Sequence, residues 1–162
     1  MTVNELARPA LCLNLPATGD APGALLTRAA TASGEPVYLS LRLLLRQPPR
    51  WDVSDRRVYV CENSAIVTIA ADRLGPACAP LVCTDGMPSA AQRTLLAQLS
   101  ACGARLHYHG DCDWDGVVLA ERGRVEASWD EGLASAMEER GVLVHEEAMV
   151  EMLVRDLASP AV

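Results

Sequence analysis

The sequence predicts an α/β domain, a parallel sheet flanked by helices, with a short N-terminal α/β extension and a helical C-terminus. Three apolar, strand-length runs, Val58–Cys61, Leu81–Thr84 and Leu106–His109, alternate with two segments of helical length. Short turns join them, and a strand–helix–strand–helix–strand order of this kind implies parallel pairing through right-handed crossovers. The terminators agree with that reading. Gly75-Pro76 stops the first helix and Gly103 the second, as helix C-termini require. At 162 residues the chain suits one domain that buries roughly 70% of its unfolded surface.

Taken in order, Ala10 to Leu15 is a short apolar stretch closed by Pro16 and the Gly- and Pro-containing Thr18 to Gly23. Ala24 to Ala32 suits a helix ended by Gly34; Val37 to Leu39 reads as a strand and Leu41 to Leu45 as a short helix. Pro48-Pro49 breaks the chain, because proline removes a donor and restricts its neighbour. A boundary is therefore expected at Gln47 to Asp55, with residues 1–50 an extension packing on a core domain of residues 51–162. Ser64 to Leu74 is the first core helix. Ser89 with Gln92 fits a capping box that opens the second, running to Ala101. After Gly116 the pattern weakens. Val117 to Ala120 suits a helical turn or a strand, Glu121 to Ser128 is polar, Glu131 to Glu139 suits a helix, and Val142 to Val144 a last strand. Glu146 to Leu157 is helical, with Met149, Val150, Leu153 and Leu157 on one face.

Composition excludes several classes. No apolar run reaches the roughly 18 residues of a membrane span, and Met1 to Pro9 lacks the basic and hydrophobic regions of a signal peptide. A cytoplasmic protein without a membrane partner is expected. The six cysteines (12, 61, 78, 83, 102 and 112) show no CxxC spacing and several sit in apolar runs, which points to buried thiols in a reducing compartment rather than a zinc site. Cys112 lies between two acids that discourage its thiolate. All 14 basic residues are arginine, and the net charge is −7. An acidic chain is a poor nucleic-acid binder by itself, so a DNA substrate needs grip from elsewhere.

The chemistry-bearing stretch is Arg105 to Gly116, where a strand ends in Gly110 and then presents Asp111, Asp113 and Asp115. Crowded carboxylates repel by about 4 kcal/mol per pair at about 4 Å in a surface-like dielectric. Such a loop is either splayed into water or held by a divalent cation. The strand Val58–Cys61 runs directly into Glu62, and two strands ending in acids can deliver them to one edge of a parallel sheet, where α/β proteins keep their sites. Glu62, Asp111 and Asp113 are thus candidate ligands for Mg2+ or Mn2+, hard cations that choose oxygen. Asp115 continues the alternation as a further candidate ligand, and Glu62 is either ligand or general base. The competing reading makes Asp111 and Asp113 turn formers and Glu62 a partner of a helix dipole. His107 and His109 alternate on one strand and read as a packed or half-exposed pair rather than metal ligands, with His109 close enough to Asp111 to assist. The Gly86–Ser89 turn either caps its helix or presents amides to a phosphate. Trp114 reads as packing or as a base-stacking surface, and Glu146 and Glu147 as dipole partners of the last helix.

Three blocks carry a resemblance: Val58-Tyr-Val-Cys-Glu-Asn63, Leu81-Val-Cys-Thr-Asp-Gly-Met-Pro-Ser89 and Leu106-His-Tyr-His-Gly-Asp-Cys-Asp-Trp114. Together they resemble a Toprim domain, and more narrowly the C-terminal Toprim part of the nuclease subunit of Wadjet-type bacterial plasmid-defence systems. The resemblance implies a Toprim-like sheet, shortened after residue 116. Its catalytic and metal-binding positions would be Glu62, Asp111 and Asp113. It also implies Mg2+ or Mn2+ as cofactor, and as partners DNA and the other subunits of an SMC-like complex, with a homodimer left open. The expected activity is hydrolysis of DNA phosphodiesters, since Tyr108 lies in a strand and Tyr59 in the core, neither placed as a covalent nucleophile. Two alternatives remain: a catalytically silent module docking on a DNA-motor complex, and a phosphoesterase acting on small molecules.

Overall fold

A computed structural model describes residues 4, 6–109, 126–127 and 150–158. Its centre is a six-stranded mixed sheet in the order β3-β1-β6-β5-β7-β8. These strands are β1 (Ala10–Leu13), β3 (Val37–Leu39), β5 (Arg57–Cys61), β6 (Leu81–Cys83), β7 (Arg105–His109) and β8 (Glu126–Ala127). The expected parallel unit is present: β5 pairs in parallel with both β6 and β7, and β7 with β8. The helices between them are α3 (Ser64–Leu74) and α4 (Ala90–Ala101). Asn63 caps α3 by accepting from Ala65 N at 2.9 Å, and the predicted Ser89–Gln92 capping box opens α4.

The N-terminal segment joins the same sheet rather than pairing only with itself. β1 runs antiparallel to both β6 and β3, in register Leu11↔Cys83 and Cys12↔Val37. All four β1 residues are buried, and β1 covers what would otherwise be an open edge of the parallel unit. Asn14, at φ 53°, fixes the exit of β1 by donating from Nδ2 to the carbonyls of Gly75 (2.8 Å) and Cys78 (3.0 Å). Two helices, α1 (Pro22–Ser33) and α2 (Leu41–Arg46), flank β3. Gly34 ends α1 at φ 72°, where a Cβ would meet the Gly75 backbone at 2.6 Å, so both conformation and space require glycine. Two short strands, β2 (Ala17–Thr18) and β4 (Arg50–Trp51), pair antiparallel beside Pro48-Pro49. Sequence periodicity missed this ladder because two residues show none.

Period-2 alternation splits the sheet into two cores. Ala10, Cys12, Leu39, Val58, Val82 and Leu106 face Ala24 of α1, Leu41 and Leu44 of α2, and Leu95 and Leu99 of α4. Leu11, Leu13, Tyr59, Cys61, Leu81 and Cys83 face Ile66, Val67 and Ala70 of α3 and the last helix, α5 (Val150–Leu157). Leu153 and Leu157 of α5 are buried as the helical spacing predicts, and Val150 is half-buried; Met149 lies outside the described residues. Strand β8 falls in the polar stretch where no element was expected. The expectations at 117–120, 131–139, 142–144 and the Glu146 start of the last helix also lie outside the described residues.

Candidate functional site

The site is built at the C-terminal edge of the parallel strands. Register pairs Cys61 with His109 on neighbouring strands, about 4.8 Å apart in the pairing direction, and Glu62 is the residue after Cys61. In the sequence, the Asp111-Cys-Asp113 run follows β7 after Gly110. The side chains of Asp111, Asp113 and Asp115 lie outside the described residues, as do Cys112, Trp114, Glu146 and Glu147. Glu62 is half-buried directly before the Asn63 cap, where the positive end of the α3 dipole favours its charge.

The β6–α4 turn closes the other side of Glu62. Thr84 N donates to the Cys61 carbonyl at 2.8 Å, and Gly86 N to the Glu62 carbonyl at 3.2 Å. Asp85 (φ 49°) and Gly86 (φ 80°) turn through the left-handed region, leaving Met87 exposed. The amides at the start of α4 are taken by its own cap: Ser89 N donates to Gln92 Oε1 at 2.6 Å and Gln92 N to Ser89 Oγ at 3.4 Å. These two are thus not presented to a ligand. Sequence reasoning missed Arg8, which reaches this turn and donates from Nη2 to the carbonyls of Asp85 and Met87, both at 3.3 Å. No local signal marks it, since the contact spans more than 70 residues.

Beneath the edge lies a polar layer inside the second core. Cys61 and Cys83 are register partners, and a hydrogen bond from the Cys61 thiol holds the Cys83 thiol below its usual range against the opposing effect of burial. Cys12 and Cys78, by contrast, are pushed up to about 12 by burial. The two histidines do pack as a pair, around Tyr59, with ring centroids 5.6 Å (His107) and 6.0 Å (His109) from it. His109 is buried, and its Nε2 lies 3.3 Å from Asp156 Oδ2 of α5 without hydrogen-bond alignment. Burial lowers the His109 pKa, and the Asp156 carboxylate only partly offsets this. Tyr59 and Tyr108 are both buried in strands, and burial raises the Tyr59 pKa.

Among the described residues no three His, Cys, Asp or Glu side chains gather as a metal site. The donors at the rim are oxygen-bearing, Glu62 and Asp85, whereas the sulfur and nitrogen donors are buried below. Those donors suit a hard divalent cation better than zinc.

Residues 37–124, more than half the chain, match the family described as "Protein of unknown function C-terminus (DUF2399)". The chain belongs to this family. The DUF2399 match runs from β3 through β7 and takes in Glu62 and the Asp111–Asp115 run; β1, Arg8 and α5 fall outside it. No curated protein and no solved structure matches the chain. Among the described residues no helix is long and apolar enough to cross a membrane.

Proposed function

We propose that this DUF2399 chain is a Toprim-type, divalent-metal-dependent endodeoxyribonuclease module, working within an SMC-like plasmid-defence complex. One observation carries the reading: the register that sets Glu62 beside the exit of β7, from which Asp111 and Asp113 follow. Glu62, Asp111 and Asp113, with Asp115 as a further donor, would hold magnesium or manganese. When bound, the cation supplies Lewis-acid stabilisation of a phosphodiester's developing charge and lowers the pKa of a water. Glu62, if not a ligand, takes the proton of the attacking water. The buried Tyr59 and Tyr108 leave no tyrosine at the rim for a covalent step among the described residues, which favours hydrolysis.

The test is nicking of supercoiled plasmid in magnesium or manganese. Glu62→Gln and Asp111→Ala are each expected to lower the rate by about a hundredfold or more. Equal nicking by wild type and both variants removes the proposed roles. A second reading, a silent module that docks on a DNA-motor complex, is favoured by the net charge of −7. Calorimetry selects it if the folded chain takes up neither metal yet retains a partner.

A further inference from the structure

We propose that Arg8 and Arg93 form a phosphate clamp beside Glu62, gripping the DNA backbone next to the reacting phosphodiester. The choice of DNA rests on the nuclease reading above; the clamp's geometry does not. Arg8 Nη2 donates to the carbonyls of Asp85 and Met87 at 3.3 Å, and Arg93 Nη1 to the next carbonyl, Pro88, at 2.6 Å. One four-residue turn therefore gathers two guanidinium groups from segments more than 80 residues apart. Both arginines are exposed, and among the described residues neither is in an ion pair. Two like charges held at one turn repel, and an anion between them relieves that repulsion.

Arg8 is also fixed at its backbone. Its carbonyl accepts from Ser89 Oγ at 2.9 Å, and its φ of 46° is uncommon for a residue with a side chain. Asp85, which it contacts, is left-handed too, and backbone departures of this kind cluster at ligand sites. The same turn donates from Gly86 N to the Glu62 carbonyl, so clamp and candidate metal ligand share one scaffold. From β1, which follows Arg8, to β5 is two strand spacings, about 10 Å. One DNA strand rises about 3.4 Å per nucleotide, so the clamp reaches a phosphate within a few nucleotides of the metal. Guanidinium forks match phosphate oxygens, and each carries donors beyond the one its carbonyls use. An acidic chain thereby gains a local grip on DNA.

The experiment is anisotropy of a labelled 20-bp duplex, titrated over a potassium chloride series in EDTA so that no hydrolysis occurs. Arg8→Gln and Arg93→Gln are each expected to reduce the slope of log K against log salt by about 0.9, and the double variant by about 1.8. Arg56→Gln, which removes the same charge at the opposite end of β5, should keep the wild-type slope, as should Glu62→Gln. Arg8→Lys retains the charge and the slope; a loss equal to that of Arg8→Gln would show a disrupted turn and overturn the clamp. So would a wild-type slope in the double variant with mononucleotide binding also unchanged, or an equal drop in Arg56→Gln. A mononucleotide in place of the duplex separates a DNA track from a small phosphoester subsite. The DNA assignment falls if the double variant loses the mononucleotide but not the duplex slope. Slope losses without any plasmid nicking keep the clamp and sink the nuclease; Glu62-dependent nicking with unchanged slopes does the reverse.

Discussion

The two faces of the sheet bury their side chains in different ways. The first, under α1, α2 and α4, is aliphatic, with Leu39, Leu44, Leu95 and Leu99 all fully buried. Trp51 and Gln98 link β4, α4 and α2 there: Trp51 Nε1 donates to Gln98 Oε1 at 3.2 Å, and Gln98 Nε2 to the Leu44 carbonyl at 2.9 Å. The second, under α3 and α5, places Tyr59, His107, His109, Cys61 and Cys83 against helices, and is closed by a helix of eight residues. One face supplies stability; the other tolerates titratable groups directly below the candidate site. Burial raises the Tyr59 pKa and lowers that of His109, which Asp156 of α5 partly offsets.

Truncations test that contrast most severely. Leu95→Ala, in the middle of α4 at 0% exposure, is expected to cost about 3–5 kcal/mol of global stability in urea titration, because the aliphatic face cannot collapse around the cavity. Leu153→Ala, at 1% exposure, is expected to cost less, about 2 kcal/mol. Amide exchange should then show α5 opening before the sheet. Equal costs and uniform exchange would erase the difference between the faces.

Titration gives a subtler measure. The folded His109 pKa is lowered from 6.5, so the unfolded chain takes up its proton first as pH falls. His109's contribution is therefore fully present above about 6.5 and is lost progressively as pH drops from there towards the folded value. The unfolding free energy of wild type should decline over that interval, and His109→Gln should decline less. The same decline in both would assign it to other groups. The smallest effect is at the surface. Arg73 Nη1 lies 2.7 Å from Glu151 Oε1, with side chains 48% and 81% exposed, and ties α3 to α5. Glu151→Gln is expected to cost at most about 1 kcal/mol, and less in high salt. A larger, salt-insensitive loss would make this pair, rather than Leu153 and Leu157, the anchor of α5.

Much of the parallel unit was legible in the sequence because its signals are local. The Gly34 and Gly75 stops, the Ser89–Gln92 box and the three apolar runs each act within a few residues, and their elements stand where expected. The pairing of His107 and His109 followed from strand alternation in the same way. Glu62 was legible as a strand-end acid, and register pairs the residue before it with His109. The Arg8 contact was not legible, nor was Asp156 beside His109, since each joins residues far apart in the chain.

By itself, then, the sequence determined where the longer strands and helices between residues 10 and 109 lie, and that Glu62 follows a strand end, since caps, turns and periodicity are short-range. Tertiary structure alone decided that β1 runs antiparallel against β6, that a two-residue ladder pairs β2 with β4, and that Arg8 and Arg93 meet at one turn. Those outcomes depend on which edges remain open once the core has packed. A strand's own residues do not encode the neighbour against which its backbone hydrogen bonds are satisfied.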